Sequence, residues 1–291
     1  MTASTQAADV EPFFLDADPG QRFCLFHPPA PGACRGAVLY VHPFGDEMNK
    51  SRRVAALQAR ALAAAGFGVL QIDLFGCGDS SGDFGQASWE QWKRDLAAAH
   101  QWLANRLGRP VTLLGLRLGA LLALDYAAGC TPAPARLLLW QPVQSGAAYL
   151  KQFLRLLLAN DMLTDDKGSS EKNAGADLRA RLLGGEMLEI AGYELAAELA
   201  AAIDALDAAQ LAPARCPVDW FTVVASPGRP DSVAVTRQAS RWREQGVELQ
   251  MHQVVGPSFW ATQEIEEAPA LVAATTAALI QDSHALSRTC A

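Results

Sequence analysis

The sequence has no apolar run of the length that a membrane span requires, and it has little charge. No stretch reaches the ~18 apolar residues expected of a transmembrane helix. Charged residues make up 19% of the 291 residues, whereas 50% are hydrophobic. This balance is typical of a globular protein with a large core. The sequence therefore predicts a folded chain without a membrane span.

Basic residues are outnumbered by acidic ones, and a secretory signal is missing from the start of the chain. The net charge is −7 and the isoelectric point is near 5.3. Nucleic-acid binding generally requires a basic face, so this charge argues against a nucleic-acid partner. Residues 1–11 show no basic segment followed by an apolar one. We therefore expect neither nucleic-acid binding nor secretion.

Cysteine is sparse and shows no metal-binding or disulfide spacing. The sequence has no CxxC pair, and neighbouring Cys and His residues do not form a zinc motif. The six cysteines are Cys24, Cys34, Cys77, Cys130, Cys216 and Cys290. Scattered thiols of this kind are expected to be free in a reducing cytosol. The sequence accordingly predicts no metal and no other cofactor.

Apolar segments with strand and helix periodicity alternate along the chain. Two opening strands, Glu11–Asp16 and Arg22–His27, flank a turn and predict an antiparallel hairpin. Gly36–His42 is a continuous apolar run, as expected for a buried strand. Further strands are predicted at Gly68–Asp73, Val111–Leu114, Arg136–Trp140, Pro217–Ala225 and Val247–Val255. Helices are predicted at Val54–Ala65, 88–108, Leu118–Ala128, Ser232–Gln245 and Ala268–Gln281. This order predicts an α/β fold, with a mostly parallel sheet covered on both faces.

The stretch 144–212 interrupts the alternation of strands and helices. It is predicted to contain two or three helices around a polar loop from Asp165 to Gly175. An insertion after a strand near the middle of the sheet would lie over its carboxyl edge. The sequence therefore predicts a core of residues 1–143 and 213–291, with 144–212 as a helical cap.

A strand-turn-helix motif follows Val111. The pattern Gly115-x-Arg117-x-Gly119 has the spacing of the nucleophile elbow G-x-S-x-G of α/β-hydrolases. It predicts that fold, with an inserted helical cap. Arginine stands where the elbow has its serine, and a guanidinium does not deprotonate in proteins. Arg117 therefore takes the catalytic position without being a nucleophile.

The other catalytic positions are incompletely filled. In this fold the base is a histidine after the last strand, but the loop 256–260 (GPSFW) has none. The histidines are His27, His42, His100, His252 and His284. Asp231 follows the preceding strand and is the candidate acid. A serine mechanism needs a base within reach of the nucleophile, and neither member of that pair is present.

The oxyanion positions are better preserved. The segment His42-Pro43-Phe44-Gly45 follows the third strand, where a backbone N–H for an oxyanion is expected. The second N–H would come from the residue after the elbow. Phe44 and Leu118 are therefore the candidate oxyanion donors.

Four motifs give the chain a family resemblance. They are 43–53 (PFGDEMNKSRR), 73–80 (DLFGCGDS), 115–119 (GLRLG) and 256–264 (GPSFWATQE). Together they resemble the bacterial exosortase A system-associated hydrolase 2 family, whose relatives are α/β-hydrolases. The resemblance covers nearly the whole chain. It implies a cytoplasmic accessory protein associated with exopolysaccharide loci and the exosortase sorting system, with a protein of that system as partner.

Arg117 requires an anion, because burial of an unpaired cation is costly. One hypothesis is a small anionic ligand, a carboxylate or phosphate, held by the guanidinium and the helix N-terminal N–H groups. The other is a structural salt bridge. Its candidate partners are Asp46, Glu47, Asp231 and Glu264.

Further pocket candidates are His42, Glu47, Cys77, Ser258 and Trp260. The charged run Asp46–Arg53 is either a solvated helix start with local ion pairs or a functional segment. In the second case Glu47, Asn49, Lys50 and Arg53 line the pocket mouth or a partner surface. Cys77 is either a small buried residue or a nucleophile of lowered pKa. Ser258 without a base is a hydrogen-bonding group.

Three functions follow from these residues. The first is a hydrolase-like pseudoenzyme that binds an anion at Arg117. The second is a hydrolase or acyltransferase with a non-serine mechanism using groups such as Glu47, Asp231 or Cys77. The third is a structural scaffold with an empty pocket.

Overall fold

An eight-stranded sheet forms the centre of the molecule in a computed structural model that describes residues 9–32, 34–162, 171–190 and 192–289. The described residues form ten strands, eight in this sheet and two, β7 and β8, in a separate hairpin. They are β1 (Glu11–Asp16), β2 (Gln21–His27), β3 (Gly36–Val41), β4 (Phe67–Ile72), β5 (Val111–Leu116), β6 (Arg136–Trp140), β7 (Leu188–Ile190), β8 (Tyr193–Leu195), β9 (Val218–Val224) and β10 (Leu249–Val255). The large sheet has the order β1-β2-β4-β3-β5-β6-β9-β10, and β7 pairs with β8. Strands β1 and β2 are antiparallel to their neighbours, and the others are parallel. The predicted fold class is confirmed.

Helices cover both faces of the sheet. They are α1 (Asp46–Ala64), α2 (Trp89–Leu107), α3 (Leu118–Gly129), α4 (Gly146–Met162), α5 (Glu171–Leu183), α6 (Ala197–Ala205), α7 (Val233–Glu244) and α8 (Pro269–Thr289). Within the described residues, no helix is long and apolar enough to cross a membrane.

The core lies on the two faces of the parallel strands. Along β3, Leu39 and Val41 belong to a cluster with α2 and α3, whereas Val38 and Tyr40 belong to a cluster with α1 and α8. Successive side chains of a strand point to opposite faces, so a strand between two helical layers is apolar throughout. This is why the sheet strands appear in the sequence as unbroken apolar runs.

The start of helix α1 differs from its predicted bound. Helix α1 begins at Asp46 instead of Val54, because its first turns bury Met48 and the polar Ser51 on the same side as Val54. A buried serine interrupts the apolar pattern by which a helix is recognised. The acidic residues Asp46 and Glu47 in the first turn also favour a helix start there.

The stretch 144–212 contains an element that the sequence pattern did not predict. Besides α4, α5 and α6, it contains the short hairpin of β7 and β8. The predicted loop from Asp165 to Gly175 is wrong in its second part, since α5 begins at Glu171. Its first part, 165–170, lies outside the described residues.

The turn from β5 to α3 is a tight junction near the carboxyl edge of the sheet. A Cβ on Gly119 would lie 2.3 Å from the His42 carbonyl oxygen and 2.4 Å from that of Val41. A Cβ on Gly115 would lie 2.5 Å from the Ala120 Cα. Both glycines are therefore required where the elbow meets β3 and its own helix.

We predict that Gly119→Ala destabilises the protein by about 1–3 kcal/mol or more, since backbone atoms must move to admit the methyl group. The free energy of unfolding in urea measures this effect. Gly129→Ala is the matched control at the other end of α3, because nothing lies within 4 Å of its added Cβ. Equal stability of the two variants would contradict the close approach at the elbow.

Candidate functional site

Arg117 occupies the centre of the elbow in a left-handed backbone conformation, with φ 56° and ψ −117°. Its N–H donates to the Trp140 carbonyl at 3.0 Å, and its own carbonyl accepts from the N–H groups of Ala120 and Val143 at 3.1 and 3.3 Å. A positive φ is uncommon outside glycine and persists only where the surroundings fix it. The end of β6 and the start of α3 therefore hold this turn in place.

The Arg117 side chain pairs with Glu47 from the first turn of α1. Arg117 Nε donates to Glu47 Oε1 at 3.2 Å, and the two side chains are 15% and 20% exposed. Of the four predicted partners, Glu47 therefore meets the guanidinium. Asp46 instead pairs with Lys50, while the backbone carbonyl of Glu264 accepts a bond from Thr262 Oγ1. The cation at this elbow is neutralised by the protein itself.

Two aromatic rings complete the surroundings of the ion pair. The Tyr149 hydroxyl on α4 donates to Glu47 Oε2 at 3.2 Å, so both carboxylate oxygens of Glu47 are bonded. The Arg117 Cζ lies 5.8 Å from the centre of the Tyr149 ring and 5.5 Å from that of Trp260. Such cation–π contacts favour a guanidinium between the two rings.

Burial raises the pKa of the Glu47 carboxyl above its ordinary value. The Arg117 charge, the hydrogen bonds from Arg117 and Tyr149, and the charge of Lys50 act in the opposite direction without reversing the shift. Burial also raises the pKa of Tyr149 well above the ordinary value, and Glu47 adds to this effect. Burial therefore disfavours the charged form of Glu47 in spite of the neighbouring cation.

A cavity of about 170 Å³ lies beside the ion pair. It is lined by Phe44, Asp46, Glu47, Lys50, Tyr149, Gln152, Phe153, Trp260 and Ala261. The lining combines four aromatic rings with a few charged or amide groups, the composition expected of a small-molecule site. Helix α1 contributes its polar first turns, and α4 contributes much of the aromatic wall.

The charged run Asp46–Arg53 divides between the cavity and the surface. Glu47 and Lys50 line the cavity, as one of the two sequence interpretations required. Asn49 instead bonds the Tyr193 hydroxyl, and Arg53 pairs with Glu267. The run therefore serves both purposes.

The two oxyanion candidates lie on either side of the tight junction. Leu118 is the first residue of α3, and the first N–H groups of a helix have no acceptor within it. Phe44 lies in the turn between β3 and α1, which the backbone at Gly119 approaches closely. The Phe44 ring is buried and packs edge-on against Phe153 at 4.8 Å. The backbone arrangement of an oxyanion site is thus compatible with these positions.

His42 is a buried structural residue. Its Nδ1 lies 2.7 Å from the Pro43 carbonyl oxygen, and its Nε2 lies 3.1 Å from the Leu74 backbone N. A carbonyl can only accept and an N–H can only donate, so Nδ1 bears the proton and Nε2 is the acceptor. Burial lowers the pKa of His42, although the charge of Asp73 opposes the shift. Both ring nitrogens are occupied, so His42 is not a free base.

Cys77 is also buried, in a much smaller cavity of about 10 Å³ that it shares with His42 and Phe44. Burial raises the pKa of its thiol, and the carboxylates of Asp73 and Asp95 add to the effect. A thiol of raised pKa stays protonated at neutral pH and is a poor nucleophile. The geometry therefore favours the small buried residue over the reactive one. Cys290 lies outside the described residues.

Asp231, Ser258 and His252 do not line the cavity beside the Arg117–Glu47 ion pair. Gln253 Nε2 lies 3.5 Å from Asp231 Oδ1, and Ser258 is exposed and does not line the cavity. His252 lies within β10, where its Nε2 is 2.6 Å from Asp219 Oδ1. The side chain of His284 lies outside those described. Trp260 is the one predicted pocket residue of this loop that reaches the cavity.

Sequence reasoning missed Tyr149 and Phe153, which form part of the cavity wall. They lie one turn apart on α4, and both are buried. Their spacing is that of any amphipathic helix, and no motif distinguishes a cavity wall from a core contact. Only the docking of α4 over the elbow reveals their role.

The described residues contain no group of three or more His, Cys, Asp or Glu side chains placed to hold a metal. What the site offers is one guanidinium, a carboxylate bonded at both oxygens, and an aromatic cavity beside them. These groups can bind and orient a small molecule. Arg117 itself cannot attack a carbonyl, because its guanidinium remains protonated.

The sheet order, the elbow and the position of α3 define an α/β-hydrolase fold. Residues 32–164 match the family model described as Serine aminopeptidase, S33. That range includes the elbow but ends before β9, so it covers neither Asp231 nor the loop after β10. No curated protein sequence matches the chain.

Solved structures share this fold along nearly the whole chain. Est1E from Butyrivibrio proteoclasticus, with ferulic acid bound, has a TM-score of 0.66 at 15% identity, covering 94% of this chain and 99% of that one. A soluble variant of monoglyceride lipase from Saccharomyces cerevisiae has a TM-score of 0.62 at 15% identity, covering 96% of each chain. Proline iminopeptidase of Mycobacterium smegmatis has a TM-score of 0.60 at 14% identity, covering 95% of this chain and 100% of that one. At these identities the similarity establishes the fold alone.

We predict that acid destabilises the protein partly through His42. A lowered pKa in the folded state means that the unfolded state binds more protons as the pH falls below about 6.5, so stability is present above that pH and is lost below it. One proton corresponds to about 1.4 kcal/mol per pH unit. The free energy of unfolding of His42→Gln, measured from pH 7 to pH 5, should therefore fall less steeply than that of the wild type. Burial lowers the pKa of His27 and His100 as well, so part of the slope should remain. Identical slopes would contradict the assignment.

Proposed function

We propose that this protein is an α/β-hydrolase-fold pseudoenzyme that holds a small anionic ligand at the Arg117 elbow. The observation that carries the proposal is the Arg117–Glu47 ion pair, in which a carboxylate already occupies the position facing the elbow guanidinium. The pair borders a cavity large enough for a small molecule. A ligand carboxylate or phosphate would find in Arg117 the same donor that Glu47 uses.

The proposed loss of serine chemistry rests on two positions. Arg117 replaces the nucleophile, and residues 256–264 contain no histidine to act as its base. A serine mechanism requires both groups within hydrogen-bond distance of each other. Phe44 and Leu118 are retained in the proposal as backbone donors that would assist anion binding.

The stretch 144–212 is proposed to act as a cap on a core of residues 1–143 and 213–291. Its support is that α4 provides Tyr149, Gln152 and Phe153 to the cavity lining. In this proposal these residues close the cavity over the elbow. An anion held there would lie between the cap and the core.

The biological setting follows from the resemblance to the exosortase A system-associated hydrolase 2 family. We propose a cytoplasmic accessory role in the exosortase and exopolysaccharide system, with a protein of that system as partner. The motifs that carry the resemblance include the three groups on which the proposed site depends. Arg117 belongs to the 115–119 motif, Glu47 to the 43–53 motif and Trp260 to the 256–264 motif.

A second candidate function is hydrolysis or acyl transfer by a non-serine mechanism. Glu47 favours it, because this carboxylate lines the cavity and burial raises its pKa above the ordinary value. A raised pKa is the direction in which enzymes tune a carboxylate that acts as a general base. Asp231 and Cys77 have weaker support, since neither lines the cavity that borders Arg117. A scaffold with an empty pocket is the remaining alternative.

We predict that acetate and inorganic phosphate raise the melting temperature of the wild type but not that of Arg117→Gln. A ligand at one hundred times its Kd stabilises the folded state by about 2.7 kcal/mol. Arg106→Gln is the matched control, because Arg106 forms an exposed pair with Glu11 on a different part of the surface. An equal shift in the melting temperatures of the wild type and Arg117→Gln would contradict an anion site at Arg117.

We also predict no labelling by a fluorophosphonate and no turnover of ester, thioester or amide panels above background. Arg117→Ser should stay equally inactive, because the added hydroxyl has no histidine base. Turnover by the wild type that is lost in Glu47→Gln or Asp231→Asn would instead support the non-serine enzyme.

A further inference from the structure

The size of the cavity limits what it can hold. Its volume of about 170 Å³ is close to the ~150 Å³ of an apolar protein cavity that accommodates benzene. A ligand that fills it therefore has a body of about one ring or a short branched chain. Larger sugars or nucleotides would have to extend beyond it.

The walls of the cavity favour a flat apolar group. Phe44, Tyr149, Phe153 and Trp260 all line it, and the rings of Tyr149 and Phe153 pack edge-on against Phe44. The Phe44 and Phe153 ring centres are 4.8 Å apart at an interplanar angle of 78°. Aromatic side chains arranged in this way offer both faces and edges to another ring.

The guanidinium lies directly behind one wall of this cavity. Glu47, Tyr149 and Trp260 line the cavity, and all three also contact Arg117. Arg117 is not itself part of the lining. Of these three side chains, Glu47 is the one that bears a carboxylate and bonds the guanidinium directly.

Glu47 has a second cation close to it. Lys50 lies one turn further along α1, lines the same cavity, and lowers the pKa of Glu47 through its charge. Lys50 is paired with Asp46 at 2.8 Å, in an ion pair whose side chains are 31% and 53% exposed. Such exposed pairs contribute little to stability. Arg117 is therefore the cation that Glu47 bonds directly, whereas Lys50 acts on Glu47 only through its charge.

We propose that the cavity binds a small carboxylate bearing one ring-sized apolar group, and that the ligand carboxylate replaces Glu47 on Arg117. The proposal rests on the proposed function of anion binding and names the class of ligand. The ring would lie among Phe44, Phe153 and Trp260. Tyr149, released from Glu47, would donate its hydroxyl hydrogen to the incoming carboxylate.

The exchange couples ligand binding to a proton. Glu47 faces Arg117 from the elbow, Tyr149 from α4, and Asp46 and Lys50 from its own helix. Burial already raises the pKa of Glu47 while Arg117 lowers it. When the ligand neutralises Arg117, that lowering is lost and Glu47 favours its protonated form. Affinity for the carboxylate should therefore increase as the pH falls from 7 toward 5.

Isothermal titration calorimetry with benzoate as the probe tests the proposal. Wild-type protein should bind benzoate more tightly at pH 5.5 than at pH 7, with proton uptake seen as a dependence on the ionisation enthalpy of the buffer. Glu47→Gln removes the competing charge, so its affinity should rise about tenfold or more and lose most of the pH dependence. Arg117→Gln should abolish binding. Glu267→Gln is the matched control, since it removes the carboxylate of another arginine pair outside this cavity and should change nothing.

Three companion probes separate the outcomes. Benzyl alcohol, the neutral analogue, should bind weakly, and benzylamine should not bind. Benzylamine binding that is lost in Glu47→Gln would overturn the proposal, since the cavity would then be a cation site. Arg117-dependent binding of acetate as tight as that of benzoate would overturn the ring-bearing ligand and leave the proposed function intact. No binding of any anion to the wild type or to Glu47→Gln would overturn both.

Circular dichroism establishes that each variant is folded. Should Glu47→Gln fail to fold, Tyr149→Phe gives a second test, because it removes one hydrogen bond of Glu47 and leaves Arg117 in place. Loss of the Tyr149 hydroxyl weakens the hold on Glu47 but also removes a donor to the ligand, so benzoate binding should persist. The hydrogen bond from Tyr149 lowers the pKa of Glu47, so without it Glu47 is more protonated before binding and takes up fewer protons than in the wild type. Complete loss of benzoate binding in a folded Tyr149→Phe would contradict the Arg117-centred site.

Discussion

The close approach of three backbone segments at the elbow is the constraint on which the site depends. Gly115 and Gly119 allow this close approach because a Cβ at either position would clash with backbone atoms. The turn between them holds Arg117 at φ 56°. The geometry that presents a nucleophile in this fold here presents a guanidinium. Because that group sits half-buried beside the first turns of two helices, it must be neutralised, and the rest of the site follows from how this is done.

Neutralisation by Glu47 links parts of the molecule that are distant in sequence. The carboxylate comes from the first turn of α1, and its second oxygen is bonded by Tyr149 from α4. Burial raises the pKa of Glu47 in spite of the guanidinium, so the ion pair is a compromise between desolvation and attraction. We propose that a carboxylate held in this way is exchanged for the carboxylate of a ligand.

The features that follow from local chain geometry could be predicted from the sequence. The alternation of strands and helices gave the fold class, and the glycine spacing identified the elbow. Glu47 was one of four candidate partners of Arg117. The sequence indicates which loops lie at the same edge of the sheet, but it does not indicate which side chain on them contacts the guanidinium. Tyr149 and Phe153 were missed, since their role depends on how α4 docks. The early start of α1 was missed because its buried Ser51 breaks the apolar pattern.

A double-mutant cycle between Arg117 and Glu47 tests the central claim of this account most directly. The free energies of unfolding in urea are compared for the wild type, Arg117→Gln, Glu47→Gln and the double variant. Residues in direct, partly buried contact typically show a coupling energy of about 0.5–3 kcal/mol. The account predicts a favourable coupling in that range. A coupling within about 0.3 kcal/mol of zero would mean that the elbow guanidinium does not depend on Glu47, and would contradict it.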